Sequence, residues 1–372
     1  MPSNYLHLVT FVQEIATFAF FSSVVCGFVL ILLTIFGVRK ICANYKRLMV
    51  IFSGLGITLA GLEAIFHPNF HFHNNGFSYF SLSFPFGWSK DSLTMVLSLY
   101  AGVWSLTVSL LAVQLIYRYW SLFRPHRMTY FRGWKSLIWV AYCLVFGSAL
   151  SLAVQICMKL DSTSADYFRN EILISYNVSI SEIPITISLP VDPQTGAFRW
   201  WNVSHTIILS IIMTVQYGTM MYCGWNIHFG MEKKIECFSL GVKHIHRQLF
   251  TTLVFQFCQI TAPTILLFTP LALIIYLPYF QVHLSFPAGA AITAFSIYPA
   301  MDSMIVFLVV SEYRFAVRRF WKLLVHKMSA ASTSSIPRGS RVETSGTNVR
   351  MSTVNFVNQR NLNVPQIVCV ES

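Results

Sequence analysis

The sequence predicts an all-α membrane protein with seven transmembrane helices. Of its 372 residues, 55% are hydrophobic and only 11% are charged, with a mean hydropathy of +0.59, which excludes an ordinary soluble domain. Seven apolar stretches recur along the chain, and each is long enough to cross a hydrocarbon core of about 30 Å. They cover residues 15–38, 48–66, 93–117, 136–158, 206–225, 249–277 and 288–310.

The basic residues predict the orientation of these helices. Of the 26 Lys and Arg, 22 lie in alternate gaps between the apolar stretches, at 39–47, 118–135, 228–248 and 311–372. Because cytosolic loops carry the excess of Lys and Arg, we expect the N-terminus outside and the C-terminus in the cytosol. We attribute the net charge of +12 to topology and to contact with anionic lipid, and not to nucleic-acid binding.

The first apolar stretch predicts a membrane anchor, and the second contains one acidic residue. Residues 1–14 carry no Lys or Arg, and the first stretch is too long for the core of a signal peptide, so we expect a short extracellular N-terminus followed by an anchor. Glu63 lies in the outer part of the second stretch, where a carboxyl group should face the bundle interior or water. Two interpretations stay open for it: a polar anchor in a ligand cavity, or a hydrogen-bonded residue that packs helices.

The first outer loop is rich in histidine, with His67, His71 and His73. Transition metals often bind histidine, but Pro68 breaks the helical geometry that an i, i+4 pair of ligands needs, and no Cys or carboxylate adjoins in the sequence. We therefore expect no metal site here and interpret the loop as partly buried with polar rims.

The longest outer loop, residues 159–204, contains two sequons for N-linked glycosylation, at Asn177 and Asn202. Asn177 is the stronger candidate because Asn202 is close to the next membrane stretch. None of the eight cysteines falls in a predicted outer loop, so we expect no extracellular disulfide framework.

Prolines and a polar tail mark the last third of the chain. Pro263 and Pro270 interrupt the sixth stretch, which predicts either a hinge for cytoplasmic opening or a static bend. Residues 15–310 form the predicted membrane domain. An amphipathic helix on the inner leaflet is expected at 311–328, and a disordered cytosolic tail at 329–372.

No catalytic motif is present in the sequence, which has no P-loop, HExxH, GxGxxG or nucleophile elbow, and the seventh stretch has no Lys for a retinal Schiff base. We therefore expect no enzyme activity and no cofactor. Aromatic surface and a few polar groups in the outer half of the bundle instead predict a site for a small, mostly apolar ligand. The candidate contacts are Glu63, Tyr100, Trp104, His205, Phe268, Thr293 and Phe295.

Four local motifs occur in the order of one known family. They are Glu63 with Pro68 and His71, then Tyr117-Arg118-Tyr119 with Arg124-Pro125, then Gln248-Leu249-Phe250, and finally Tyr298-Pro299 and Asp302 followed by Glu312-Tyr313-Arg314. Together they resemble the nematode serpentine chemoreceptors of the Str group. The resemblance runs from the first stretch to about residue 325, and one departure is Ser303, where the family commonly has Pro.

The resemblance implies a seven-helix bundle of the G-protein-coupled receptor type. Such a receptor binds a small, often volatile molecule and activates a heterotrimeric G protein. The implied location is the plasma membrane of sensory-neuron cilia.

A group of residues near the cytosol is expected to couple the ligand to the G protein. Arg118 takes the place of the arginine in the acid-Arg-aromatic motif of rhodopsin-like receptors, but Tyr117 replaces the acid, so an ionic lock to an adjacent carboxylate is excluded. Asp302 lies roughly 21 Å below the outer end of its helix, which favours a switch over a ligand contact. A structural hydrogen bond for Asp302 and a purely topological role for the basic residues stay open. The predicted set is Arg118, Arg124, Lys233, Lys234, Tyr298, Pro299 and Asp302.

Two other functions are disfavoured. An odorant-gated cation channel of the insect type has its N-terminus inside, opposite to the predicted orientation. A secondary transporter does not fit the odd helix count, the absence of an internal repeat and the presence of only two charges, Glu63 and Asp302, within the stretches. The expected partners are a small-molecule ligand, a heterotrimeric G protein and the lipid bilayer.

Overall fold

The structure, a computed structural model, describes residues 5–38, 43–236, 269, 272–280, 282, 284–309 and 313–319. These residues form mainly helices. The longer ones are α1 (Leu6–Leu32), α2 (Ala43–Phe66), α3 (Lys90–Phe123), α4 (Leu137–Cys157), α5 (Ser162–Tyr176), α6 (Trp200–Glu236) and α7 (Gly289–Val309).

Five helical segments in the described chain are long and apolar enough to cross a membrane by length and composition; they include α1, α2, α3 and α4 and the part of α6 from Trp200 to Gly230. In α7 the apolar part is the shorter run Ile297–Leu308. Most of the predicted sixth stretch, with Phe268, Pro263 and Pro270, lies outside the described residues, as does the tail at 329–372.

The helices extend beyond the apolar stretches that predict them. Helix α1 begins at Leu6, so part of the predicted extracellular N-terminus is helical. Helix α3 begins after Ser89, whose side chain accepts a hydrogen bond from the backbone N–H of Ser92. It ends at Phe123, two residues before Pro125, because the residue that precedes a proline disfavours helical backbone.

Helix α3 lies at the centre of the bundle and packs against α2, α4 and α6. Its contact with α4 includes a close approach at two glycines. A Cβ atom added at Gly102 would lie 2.9 Å from the carbonyl oxygen of Gly147, and one added at Gly147 would lie 3.1 Å from the carbonyl oxygen of Gly102. The two backbones therefore touch, as is typical of membrane helices that pack through small residues.

Buried side-chain hydrogen bonds join the same helices. The Tyr142 hydroxyl on α4 donates to Oε1 of Gln216 on α6 at 2.9 Å, and Nε2 of Gln216 donates to Ser109 on α3 at 3.0 Å. These bonds satisfy polar groups that would be costly to leave unpaired in an apolar bundle.

Strands from three predicted outer loops form a four-stranded antiparallel sheet, which the hydropathy pattern does not predict. Its strands are β1 (Pro68–His73), β2 (Gly76–Ser81), β3 (Ile185–Ser188) and β4 (Ser285–Pro287), in the order β3-β2-β1-β4. A two-residue turn joins β1 to β2, with Asn74 at a φ of 45°. We call this end of the molecule the sheet end and the opposite end the Arg118 end.

Helix α5 packs on the sheet and forms a second apolar core with it. The core contains Phe80, Phe168, Ile172 and Tyr176, together with Val9 of α1. A capping box of Asp161 and Ser164 begins α5, which fixes the start of the helix without tertiary contacts. We call the sheet and α5 together the lid.

A short helix at 313–319 follows α7. Tyr313 and Ala316 are buried in one cluster with Leu30 of α1, and the Tyr313 hydroxyl lies 2.8 Å from Oγ1 of Thr34. Arg314 and its neighbours on the other side are exposed. The described part of this segment thus has one buried and one exposed side, and the amphipathic membrane-surface helix at 311–328 stays a prediction.

Candidate functional site

A cavity lies beneath the sheet, inside the helix bundle. Phe70 and Phe77 of the sheet form one wall, and Tyr100 and Trp104 of α3 form another. The remaining wall is mostly aliphatic and comes from α4, α6, α7 and the segment before β4. Such a lining suits an apolar molecule, because it offers contact surface and few hydrogen-bonding groups.

The cavity measures about 70 Å³. An apolar protein cavity of about 150 Å³ holds a benzene molecule, so this cavity is about half the size of one that accepts an aromatic ring. A ligand of that size must therefore displace lining side chains or move the lid, which forms one wall.

His205 on α6 supplies a polar group in the cavity wall. Its side chain is buried, and its ring lies 6.3 Å from that of Phe77 between centroids. The Nδ1 atom has no hydrogen-bond partner among the described residues. Because an unpaired buried polar atom costs about 1–3 kcal/mol, a ligand that hydrogen-bonds to His205 would recover that energy.

Glu63 and Thr293 line a separate, narrower gap among α1, α2 and α7. The Tyr100 hydroxyl donates to Oε2 of the buried Glu63 at 2.7 Å, so Tyr100 stands between this carboxyl group and the cavity. Glu63 therefore contacts a residue of the cavity wall through this hydrogen bond, and the two interpretations of its role stay open. Of the other predicted contacts, Trp104 lines the cavity, and Phe295 is described only by its helical backbone.

The lid holds a cluster of His71, His73 and Glu171. Nε2 of His71 lies 3.1 Å from Oε1 of Glu171, and Nδ1 of His73 lies 3.4 Å from Oε2. No carboxylate adjoins these histidines in the sequence, but α5, about 100 residues later in the chain, brings Glu171 beside them in space. These three residues could hold a metal ion.

Electrostatics in this cluster keep the carboxylate ionised. The hydrogen bond from His71 lowers the pKa of Glu171 to about 2, and Ser285, His73 and Ser175 act in the same direction against the opposing effect of burial. Burial lowers the pKa of His73, although the charge of Glu171 partly offsets this.

At the Arg118 end, the predicted coupling arginine is almost fully buried, with 8% of its surface exposed. Its Nη2 donates to the hydroxyl of Tyr45 on α2 at 2.9 Å. Its Nε and Nη1 have no hydrogen-bond partner among the described residues. Tyr117, which replaces the expected acid, packs its ring on Tyr45 at 5.6 Å and edge-on to Phe131 at 4.9 Å.

Helix α7 brings two more predicted residues to this region. Tyr298 and Asp302 are both buried, and Tyr298 interacts electrostatically with Asp302 and with Arg118. The structure thus assembles Arg118, Tyr298 and Asp302 into one group. Tyr45 completes this group, and the sequence does not predict it, because no local motif marks a residue whose partner is 73 positions away.

Pro299 packs directly against α2. A Cβ atom added at Gly56 would lie 2.7 Å from the Cβ atom of Pro299. Ser303, which departs from the family pattern, donates its hydroxyl to the carbonyl oxygen of Pro299 at 2.9 Å, and α7 continues to Val309. The serine therefore occurs within continuous helix.

The remaining basic residues of the predicted coupling set lie at the ends of helices. Arg124 follows α3 and is exposed. Lys233 and Lys234 belong to the last turns of α6 and are described by their backbone alone. A Cβ atom at Gly230 of α6 would lie 2.7 Å from the ring of Phe123, so these two helix ends are adjacent.

The two sequons differ in their surroundings. Asn177 is exposed and adopts a left-handed backbone, with φ of 55°, at the end of α5. Asn202 is buried, and its Nδ2 donates to the carbonyl oxygens of Cys157 at 2.8 Å and Ile187 at 3.3 Å. Asn177 is therefore the more accessible of the two, and glycosylation at both positions stays a prediction.

Comparison with known proteins gives a consistent result. The family described as serpentine type 7TM GPCR chemoreceptor Str matches residues 12–318. The G-protein coupled receptor str-33 of Caenorhabditis elegans is 33% identical over 330 residues, which cover 87% of this chain and 94% of that protein. The serpentine receptor class r-10 of Caenorhabditis briggsae is 23% identical over 308 residues, which cover 82% of this chain and 88% of that protein.

The family match includes the whole of α2, α3, α4, α6 and α7 and the motifs around Glu63, Arg118 and Asp302. The identity to str-33 extends over most of both chains. The chain therefore belongs to the Str family of serpentine chemoreceptors, a family of G-protein-coupled receptors.

Proposed function

We propose that this receptor binds a small, mostly apolar molecule beneath the lid and then activates a heterotrimeric G protein at the Arg118 end. The observation that carries the proposal is the aromatic-lined cavity beneath the sheet, with a His205 nitrogen in its wall that has no hydrogen-bond partner among the described residues. The relative str-33 is named a G-protein coupled receptor, which supports the coupling half of the proposal.

The lining suggests the chemistry of the ligand. Trp104 and Phe77 offer aromatic surface, and the Tyr100 hydroxyl is already engaged by Glu63. Nδ1 of His205 is then the main polar atom of the lining that can still form a hydrogen bond. The best ligand therefore has an apolar body and a single hydrogen-bonding group. A volatile aldehyde, ketone or alcohol has this character.

Coupling would proceed through the group around Arg118. Tyr45 holds the arginine against α2, and Tyr298 and Asp302 on α7 lie within electrostatic reach. A ligand that moves α7 would change this group, which can then release Arg118 toward the G protein. Arg124, Lys233 and Lys234 would add basic contacts at the same surface, and Pro263 and Pro270 remain the proposed hinge of the sixth helix.

The proposed membrane arrangement follows from the basic residues of the sequence. Seven helices cross the plasma membrane, with the lid outside and the Arg118 end in the cytosol. The proposed location is the ciliary membrane of a sensory neuron, as the family resemblance implies.

Filling the cavity is expected to block the ligand without removing any contact. Ala101 lines the cavity, and Ala101→Leu adds three carbon atoms to a space of about 70 Å³. Overpacking of this kind costs roughly 1–3 kcal/mol, so agonist potency should fall roughly 5- to 150-fold. The measurement is a dose response to an odorant panel in cells with a calcium or cyclic-nucleotide readout.

Ala141→Leu is the matched control, because Ala141 is exposed on α4 and its enlargement leaves the cavity unchanged. His205→Ala should weaken only those agonists that carry a hydrogen-bonding group. Equal potency in Ala101→Leu and Ala141→Leu, at equal surface expression, would place the ligand elsewhere.

Glycosylation tests the orientation. Asn177→Gln is expected to abolish a glycosidase-sensitive shift in gel mobility, whereas Asn202→Gln should leave the shift intact, because Asn177 is exposed and Asn202 is buried. An epitope tag at the N-terminus should be accessible on intact cells. Cytosolic labelling of the lid would contradict the orientation and revive the channel alternative.

A further inference from the structure

We propose that His71, His73 and Glu171 form a binding site on the lid for a divalent transition-metal ion, with zinc(II) as the probe. Each residue offers one ligand atom, and these atoms all lie within 4.8 Å of one another. The proposal stands apart from the proposed function, since it requires neither a known odorant nor a G protein.

The spacing of the donor atoms is close to that of a metal site. Zinc(II) binds imidazole nitrogen at about 2.0–2.1 Å, which places neighbouring ligand atoms of a tetrahedron roughly 3.3–3.4 Å apart. The two nitrogen–oxygen distances from the histidines to Glu171 are 3.1 and 3.4 Å. The wider separations can close through His73, whose side chain is one-fifth exposed.

The buried histidine is oriented as a metal ligand usually is. Nδ1 of His71 lies 2.9 Å from the hydroxyl of Tyr176, itself buried, so Nε2 points toward Glu171. Ligating histidines commonly bind a second group through the nitrogen that does not face the metal, which fixes the ring. Nδ1 of His73 is buried and lacks a hydrogen bond, although it faces Oε2 of Glu171. Among the described residues this nitrogen atom makes no hydrogen bond, so it could bind a metal ion instead.

The donor set points to the class of metal. Two imidazoles and one carboxylate are the ligands that zinc(II) takes in three-ligand sites, with a fourth position left for water or another oxygen. Ser285 on β4 lies beside that position, with Oγ 3.2 Å from Nε2 of His71 and 2.6 Å from Oε1 of Glu171.

A metal here would join parts of the lid that come from different loops. His71 and His73 belong to β1 and Glu171 belongs to α5. Successive residues of a strand face opposite sides, and Phe70, which precedes His71, lines the cavity. The ion would therefore stiffen the sheet from the side opposite the ligand cavity.

Zinc(II) titration of the purified full-length receptor tests the site. After treatment with a chelator, the protein is titrated with zinc(II) chloride in competition with a chromogenic chelator. We expect one saturable site and a thermal unfolding temperature that rises with zinc(II) concentration. His73→Ala and Glu171→Gln should remove the site, and Tyr176→Phe should weaken it by about 10- to 100-fold.

His7→Ala is the control, since His7 is exposed near the start of α1. His73→Cys should retain zinc(II), because thiolate is also a zinc ligand. Cobalt(II) absorption of the unaltered receptor gives a readout that needs no variant to fold. If the unaltered receptor shows no saturable binding of either ion, or if Glu171→Gln binds zinc(II) as tightly as His7→Ala, the proposal is overturned.

Discussion

Arg118→Ala is expected to abolish agonist-stimulated signalling, and Tyr45→Phe is expected to raise signalling without agonist. The Tyr45 hydroxyl accepts a hydrogen bond from Nη2 of Arg118 at 2.9 Å, and a hydrogen bond to a charged group contributes about 1.5–3 kcal/mol. Tyr45→Phe removes this bond and keeps the ring that packs on Tyr117. If the bond exists only in the inactive state, the inactive-to-active ratio should fall roughly 10- to 150-fold.

Matched variants separate this effect from general charge or ring effects. Arg127→Ala removes an exposed arginine after α3, and Tyr130→Phe removes a hydroxyl from an exposed tyrosine at the same end. Both should leave basal and stimulated signalling unchanged at equal surface expression. Full signalling by Arg118→Ala would reduce that residue to a topology charge, and an unchanged baseline in Tyr45→Phe would show that the inactive state is held by other contacts.

Gly56→Val is expected to prevent α2 and α7 from packing. A Cβ atom at Gly56 would lie 2.7 Å from Cβ and 3.0 Å from Cγ of Pro299, and the proline ring has no rotamer through which to yield. The two helices must separate, at a cost of roughly 1–3 kcal/mol or more. The thermal unfolding temperature of the purified receptor and the fraction of receptor at the cell surface should both fall.

Gly54→Val provides a control on the same helix, because nothing lies within 4 Å of a Cβ atom added there. Both substitutions exchange the same residue types within one helix, so their intrinsic helix propensities change equally. The difference between them isolates the contact with Pro299. Similar stability of the two variants would mean that α2 and α7 are less closely packed in the native receptor.

The positions of the helices are largely predictable from hydropathy, and their ends are not. Helix α4 agrees with its predicted stretch within one residue at each end, whereas α6 begins at Trp200 and continues to Glu236, well outside 206–225. Hydropathy marks the part of a helix that is apolar enough for lipid. Polar turns that continue the same helix beyond that part give no such signal.

The sheet of the lid combines a hairpin that has a local sequence signal with strand pairings that have none. The alternation from Phe70 to His73 and the following Asn74-Asn75-Gly76 are a recognisable hairpin signal, although the same residues also form the histidine-rich pattern of this loop. The pairing of β3 and β4 with this hairpin joins segments that are far apart in the chain. No local pattern specifies such a pairing, because it depends on how the helices arrange the loops.

Residue type and depth indicate part of the candidate site. Of the predicted ligand contacts, Tyr100, Trp104 and His205 line the cavity, while Glu63 and Thr293 line the adjacent gap, and ligand binding by any of them stays a prediction. Whether a side chain lines the cavity or the gap depends on the side of the helix that it occupies. In a bundle that is apolar throughout, hydrophobic periodicity gives little indication of that side. The role of Tyr45 became visible only through its hydrogen bond to Arg118.

The pairing of β1 with β4 also determines when the sheet can be completed during synthesis of the chain. Ser285 follows His71 by 214 residues, so at 5–20 residues per second the ribosome needs about 10–40 s to produce the missing strand. During that interval, one edge of β1 has no native partner, and an unpaired edge can recruit strands of other chains. The last native pairing of the lid thus requires nearly the entire bundle to have been made, so a cell could recognise unfinished receptors by this open edge.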